Sequence, residues 1–268
     1  MKRYVIRRLL MAIPLLLAIS FVCFVFINII PSNPAEVALR VQQMPVITEE
    51  AIAEMEEMLG LNKPFLIRYF DWVLGCLQGD FGISYVNPAR TVAGELARCL
   101  PATLQLAAAS FVIVLVLSIP IGFLCAVYKD RWFDKLMRGL VFVTTAMPAY
   151  WVGLLLMWLI SVKLGLLPTN GSGTLRHLIL PAFTVALSYI STYIRLIRNN
   201  MLENMKQDYV LYANVRGLPQ RSIWVKHVLK NSMHTCIVAM GMSIPQMIAG
   251  TIVVENVFSW PGLGTLCI

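Results

Sequence analysis

Charge is the first thing this sequence is short of. Only 13% of its 268 residues are Asp, Glu, Lys or Arg, and 58% are hydrophobic, whereas a soluble domain carries about 25% charged residues. A soluble globular chain is excluded, and an all-α integral membrane protein is expected. Histidine is scarce as well. His177, His227 and His234 are the whole set, there is no CxxC, and no cysteine has a histidine at ligand spacing, so no metal site is expected on this chain. The absence of GxxxxGK[ST] removes the phosphate cradle of an ATPase, and the absence of GxSxG and HExxH removes two common hydrolase sites. The cores of the apolar runs also lack ionisable residues, which argues against a proton-coupled carrier and an intramembrane protease.

What is present is long uncharged runs. Residues 9–30 hold no charge over 22 positions, and a spanning helix needs about 20. Four positive charges precede this run, as in a signal peptide. However, the run is longer than a signal's apolar region and lacks a small-residue cleavage site, so it reads as an uncleaved first span. Four further spans are expected over 102–127, 139–162, 178–194 and 233–254. Pro14, Pro120, Pro148, Pro181 and Pro245 fall in them or at their starts, with Met147-Pro148 the expected kink. With residues 1–8 cytoplasmic, the inner segments (1–8, 128–138, 195–232) carry 15 Lys and Arg and the outer ones (31–101, 163–177, 255–268) carry 7. That asymmetry fits the positive-inside rule, so the net charge of +8 reflects topology and does not call for nucleic acid.

Residues 31–101 form the one sizeable polar part. Asn33-Pro34-x-Glu36 has the cap, N1 proline and N3 glutamate of a helix start, and Thr48-Glu49-Glu50 offers a second helix stopping at Gly60. Pro64 opens an amphipathic stretch with Phe65, Tyr69, Trp72, Val73 and Cys76 at helical spacing, read as a cap lying on the membrane or as a docking surface. Cys23, Cys125 and Cys236 are expected to be apolar packers, and a Cys76–Cys99 pairing is left open.

Residues 195–232 are a basic island between two spans. A helix is expected over 201–215 with Tyr209, Tyr212, Ala213 and Arg216 on one face. Gly217 is placed to end it in a left-handed conformation, and Pro219 to open a second helix over 219–230. On physical grounds alone this is an interfacial helical hairpin.

The string DYVLYANVRGLP, residues 208–219, followed by HVLKN, residues 227–231, resembles the coupling segment of binding-protein-dependent ABC importer permeases in their peptide and nickel branch. Arg3-Tyr-Val-Ile-Arg-Arg8, Leu59-Gly-Leu-Asn-Lys-Pro64, Gly79-Asp-Phe-Gly-Ile-Ser84 and Glu255-Asn-Val-Phe-Ser-Trp-Pro-Gly-Leu-Gly264 resemble the family's other landmarks in the same order. The resemblance implies a polytopic helical bundle in the bacterial inner membrane with the N-terminus cytoplasmic. It also implies a second homologous permease subunit, two cytoplasmic ABC ATPases that use ATP and Mg, and an extracytoplasmic substrate-binding protein. Tyr209, Tyr212, Ala213, Arg216, Gly217, Leu218 and Pro219 are then the implied ATPase-coupling residues. Tyr212-Ala213 stands where many members have Thr-Ala.

Family members have six spans. Five are present of an expected six, and the stop at Ile268 reads as a truncated sequence, with a five-span protein as the alternative. Since the spans lack charges, neutral polar groups are the expected pathway lining: Gln105, Thr144, Thr145, Ser188, Thr192, Ser243 and Gln246. For each, a helix–helix hydrogen bond is the simpler role. Gly241 and Gly250 are expected at close helix approaches, and Arg195 and Arg198 as snorkelling anchors. The short loop 168–176, LPATL at 100–104 and KDRW at 129–132 look more like the nickel branch than the peptide branch. A non-transporting scaffold or remnant permease is the competing reading.

Overall fold

Backbone amides cannot remain unpaired in hydrocarbon, so apolar runs of this length become helices. The computed structural model describes residues 2–29, 33–42, 44, 47–84 and 90–267, and all regular elements among them are helical apart from one isolated bridge between Ile83 and Thr91. The chain divides into two units, Met1–Ala97 and Arg98–Ile268.

In the first unit α1 spans Lys2–Ile29, and none of its apolar window is buried. The short helices α2 (Pro34–Val41) and α3 (Glu49–Met58) start where their caps predict. Asn33 accepts from the Ala35 N–H at 2.9 Å, and Thr48 from the Ala51 N–H at 3.2 Å. Each such cap contributes about 1 kcal/mol. Gly60, at φ +67°, ends α3, and the two helices share a small core of Ala35, Ala38, Leu39 and Met55. Helix α4 (Phe65–Leu77) turns its aromatic stripe onto α1. Tyr69 sits edge-on to Phe21 at 5.0 Å between ring centroids and donates to the Leu17 carbonyl at 2.9 Å, while Phe65 and Trp72 meet Phe24. The stripe read as a membrane-surface or docking face is therefore an intramolecular contact. Cys76 and Cys99 are both free thiols. Burial, and secondarily the Asp80 carboxylate, raise the Cys76 pKa, which keeps it protonated and slow to exchange.

Helix α5 (Val92–Val127) leads into the second unit. After a turn come α6 (Trp132–Ala146) and α7 (Ala149–Leu156), the latter continuing as a π-helix over Met157–Lys163. The expected kink at Met147-Pro148 is a bend of 108°. Proline pushes its predecessor out of the helical region, and Met147 is extended at φ −105°, ψ 139°. The third run is thus a broken pair of helices. Helix α8 (Leu175–Asn204) is the centre of the unit, with 56% of its apolar window buried.

The island divides differently from expectation. Helix α8 runs on to Asn204, α9 covers only Asp208–Val215, and α10 is a single turn, Gln220–Ser222. A π-helical stretch, Ile223–Leu229, joins α10 without a break to α11 (Lys230–Val257), and α12 is the short Leu263–Leu266. The second helix of the expected hairpin is therefore the base of the fifth apolar helix, one rod from Gln220 to Val257. Among the described residues four helices are long and apolar enough to span, or five if the bent pair counts as one.

Close approach to α8 is made at glycines, though not the two expected. Gly241 is open, and a Cβ on Gly250 would only touch the Tyr189 hydroxyl at 3.9 Å. A Cβ on Gly122 would lie 2.9 Å from the Ile197 Cβ, and one on Gly153 2.7 Å from the Thr184 Cγ2. Gly122→Val should therefore force α5 away from α8 and lower stability by about 1–3 kcal/mol, whereas Gly241→Val should be nearly silent. Thermal unfolding of the two variants in detergent would show it, and equal melting temperatures would refute this account.

Candidate functional site

The segment between α8 and α11 is tied down on one side and open on the other. The α8 end and the α9 start are joined by Tyr209, whose hydroxyl donates to Asn204 Oδ1 at 3.0 Å. Val210 and Ala213 are 7% exposed and belong to the core that holds Met201, Ile223 and Val228. Of the four residues expected on one face, Ala213 is buried and Tyr212 is 69% exposed, so they do not act as one stripe. The helix ends as its glycine predicts. Gly217 has φ +72°, the Leu218 N–H reaches the Ala213 carbonyl at 3.2 Å, and the Gly217 N–H reaches that of Asn214 at 2.9 Å, which together form a Schellman closure. Gln220 Nε2 donates to Asn214 Oδ1 at 2.6 Å, so the two helix ends are bound across the turn. Pro219 at φ −64° starts the next helix.

The other side is apolar and uncovered. Leu211, Tyr212, Val215 and Leu218 are 62%, 69%, 78% and 37% exposed, and Arg216 lies beside them in solvent. A large apolar cluster with a polar rim marks a surface meant for a partner.

Two buried carboxylates fix the helices of the second unit, and the sequence reading missed both pairings. Asp134, at the start of α6, is fully buried. Arg198 of α8 grips it side-on, Nε to Oδ1 and Nη2 to Oδ2, each at 2.7 Å, and the Asp130 N–H adds a third bond at 2.9 Å. Arg198 is therefore not a snorkelling anchor but half of a buried ion pair, while Arg195 is exposed. A bidentate pair with a further donor is the geometry in which such a charge is tolerated.

The second is Glu255. The fifth helix extends through it, so the run does contain a buried acid, with 0% of its surface exposed. Its Oε1 accepts from Thr103 Oγ1 at 2.7 Å and Thr251 Oγ1 at 2.9 Å, and its Oε2 from the Gly264 N–H at 2.6 Å. Thr103 also accepts the Leu263 N–H at 2.8 Å, and Trp260 Nε1 donates to the Ala102 carbonyl at 2.9 Å. The FSWPGLG loop is thereby tied to α5 three turns in, at Ala102 and Thr103, and to the start of α12. Its glycines are required sterically, because a Cβ on Gly262 would lie 2.3 Å from the Glu255 Cδ and one on Gly264 2.6 Å from the Ile252 Cα. One signal in the sequence could have marked Glu255: an acid directly after an apolar run and close to two glycines.

The seven polar residues read as pathway lining separate into two groups. Thr144 shares a 2.5 Å hydrogen bond with Ser191, and Ser243 accepts from the Tyr193 hydroxyl at 2.5 Å. These two connect helices, the simpler of their two roles. Gln105, Thr145, Ser188, Thr192 and Gln246 are exposed on this chain, with Thr145 and Thr192 bonding back to carbonyls of their own helices. Among the described residues no group of three His, Cys, Asp or Glu could hold a metal.

Comparison with known proteins gives this geometry a setting. Residues 118–268 match the family described as binding-protein-dependent transport system inner membrane component, and residues 1–107 match the N-terminal part of the membrane components of such systems. The chain is 36% identical over 266 residues to the metal-staphylopine import system permease protein CntB of Staphylococcus aureus, covering 99% of this chain and 85% of that one. It is 37% identical over 279 residues to the oligopeptide transport system permease protein AppB of Bacillus subtilis, with 99% and 86% covered. With the glutathione transport system permease protein GsiC of Salmonella typhimurium the identity is 35% over 268 residues, with 100% and 86% covered.

The two carboxylates make separable predictions. Asp134→Ala leaves the largely covered Arg198 without its carboxylate partner, and should cost up to about 3–5 kcal/mol, read as a large loss of folded protein after extraction. Glu255→Gln keeps the shape but turns an amide donor toward either a hydroxyl or the Gly264 N–H, costing about 1–3 kcal/mol. It should also expose the 258–264 loop to limited proteolysis. A loop equally protected in both forms would show that the carboxylate does not hold it.

Proposed function

Since the chain belongs to the binding-protein-dependent transport system inner membrane components, as an ABC importer permease of the peptide and nickel-type branch, we propose that it forms one half of a translocation pathway whose driving force enters at α9. The observation that carries this reading is the exposed cluster Leu211, Tyr212, Val215 and Leu218 on a short helix whose opposite side is buried in the bundle core. A cytoplasmic ATPase covering that cluster would move Val210 and Ala213 with it, and through them α8 and the base of α11. In this reading Tyr209, Asn214 and Gly217 keep the segment rigid, and Tyr212, Arg216 and Leu218 make the contact, with Pro219 starting the helix that receives the motion. ATP and Mg are used by the partner ATPases. A second permease subunit completes the pathway, and an extracytoplasmic binding protein delivers the cargo. The chain is a multi-pass protein of the inner membrane. We place its N-terminus on the cytoplasmic side, because that puts 15 of its 22 Lys and Arg inside.

For the cargo we infer a small peptide-like molecule or a metal chelate, nickel being carried within such a chelate and not as the bare ion. The named cargoes of the relatives, metal-staphylopine, oligopeptide and glutathione, support that class. So does the chemistry of the exposed polar set Gln105, Ser188, Thr192 and Gln246. Its amides and hydroxyls suit hydrogen bonding to a polar solute and are weak ligands for a divalent metal.

Gly217→Val tests the coupling role. An added Cβ meets no atom within 4 Å, so the main penalty is in the backbone, about 1–2 kcal/mol for a left-handed conformation. Co-expressed with its neighbouring subunits and reconstituted in lipid, the variant should insert and assemble normally, while receptor-stimulated ATP hydrolysis and uptake fall together. Uptake equal to wild type would refute the role given to this turn. A stable chain that recruits no ATPase would favour a non-transporting scaffold.

A further inference from the structure

Among the described residues one buried side-chain nitrogen or oxygen lacks any hydrogen-bond partner, and it is Nε of Arg68 in the first unit. Such orphans are rare enough in folded proteins to require an explanation. Nη2 of the same guanidinium donates at 2.6 Å to Asn28 Oδ1, whose amide is held in turn by the Phe24 carbonyl at 2.8 Å. Arg198 shows what this edge of a guanidinium normally does: its Nε and Nη2 take the two oxygens of one carboxylate. In Arg68 half of that edge is filled by a neutral amide oxygen and half is empty.

Arg68 lies on the wall of a cavity of about 910 Å³ within the same unit. The wall is mostly apolar, with Phe24, Ile27, Leu59, Trp72 and Phe81 among its residues. Its two acids are already engaged, Glu56 by the Asn33 amide at 2.7 Å and Asp71 by Lys63 at 2.6 Å. A cavity of this size with an apolar lining and a few convergent polar groups has the character of a ligand site. The position of Arg68 narrows the ligand. Asn28 stands where the long apolar run of α1 stops, and none of the apolar window of that helix is buried by protein. A cation bonded to the end of a membrane-spanning run, as Arg68 of α4 is to Asn28, is level with the head groups of a bilayer.

We propose that the cavity binds one anionic lipid, with two oxygens of its phosphate on the Nε–Nη2 edge of Arg68 and the adjoining part of one acyl chain along Phe24, Ile27 and Trp72. Binding displaces the Asn28 oxygen and satisfies the orphaned nitrogen. The same oxyanion chemistry could be supplied by the carboxylate of a peptide-like solute, and the experiment separates the two sources.

The full complex, purified with its neighbouring subunits and placed in nanodiscs, is irradiated with a phosphatidylglycerol that carries a photoreactive acyl chain, and labelled peptides are mapped. Label is expected on residues 20–29 and 65–77. It should fall roughly tenfold in Arg68→Gln, the scale of a lost charge-assisted pair, and less in Arg68→Lys, which keeps the charge without the two-nitrogen edge. Unlabelled phosphatidylglycerol should compete and phosphatidylcholine should not. Equal labelling of wild type and Arg68→Gln overturns the proposal, as does equal competition by the two lipids. Competition by a free tripeptide but not by phosphatidylglycerol also overturns it and assigns the cavity to a solute carboxylate. If Arg68→Gln fails to assemble, Asn28→Ala decides: it frees Nη2 while keeping the cation, so labelling must rise, and unchanged labelling refutes the site.

Discussion

A carboxylate removed from water has to collect its hydrogen bonds from protein, and the second unit is organised around two that do. Asp134 takes a guanidinium edge and a backbone N–H, and Glu255 takes two hydroxyls and a backbone N–H. Neither can be left half-satisfied, because an unpaired buried charge costs several kcal/mol. Each therefore dictates the placement of everything that donates to it. Asp134 fixes the start of α6 against the late part of α8. Glu255 fixes the end of α11 against Thr103 of α5 and the glycine-rich loop.

The spacing of the two knots is informative. Thr103, which meets Glu255, and Cys125, which lies near the Asp134 end of α5, are separated by about 33 Å of helix, close to the thickness of a bilayer's hydrocarbon core. The charged ties thus sit at the two ends of the apolar stretch, and the contacts between them are packing contacts at Gly122 and Gly153 and the hydroxyl pairs Thr144–Ser191 and Tyr193–Ser243. Hydrophobicity does not drive helices together inside lipid. Close packing and a few polar contacts have to do so, and strong polar anchoring is left to the ends.

Features fixed by local chemistry could be read from the sequence. The caps at Asn33 and Thr48, the stops at Gly60 and Gly217 and the break at Met147-Pro148 each depend on a few adjacent residues, and each lies where its residue type demands. What could not be read was pairing over distance. Asp134 and Arg198 are 64 residues apart, Thr103 and Glu255 are 152 apart, and nothing in a single sequence states that they meet. The same limit applies to the polar pathway candidates, since Thr144 and Thr145 are adjacent and of one type, yet only Thr144 reaches another helix. In the island the residue types were legible but the helix lengths were not. Proline at 219 correctly marks a start, whereas Pro245 marks no stop, and the helix runs through it to Val257.

That uninterrupted helix has a mechanical consequence. Its 38 residues from Gln220 to Val257 make a rod of about 57 Å at ordinary helical rise. One end is the turn after Gly217, and the other is the carboxylate knot holding the tryptophan-containing loop. A rod of that length is a lever: a tilt of about 5° at a pivot near one end displaces the other by about 5 Å, more than a hydrogen bond can stretch. Any torque applied at the base must therefore either carry the loop along with Glu255 or break the knot, and the two glycines packed against that carboxylate leave little room for a compromise.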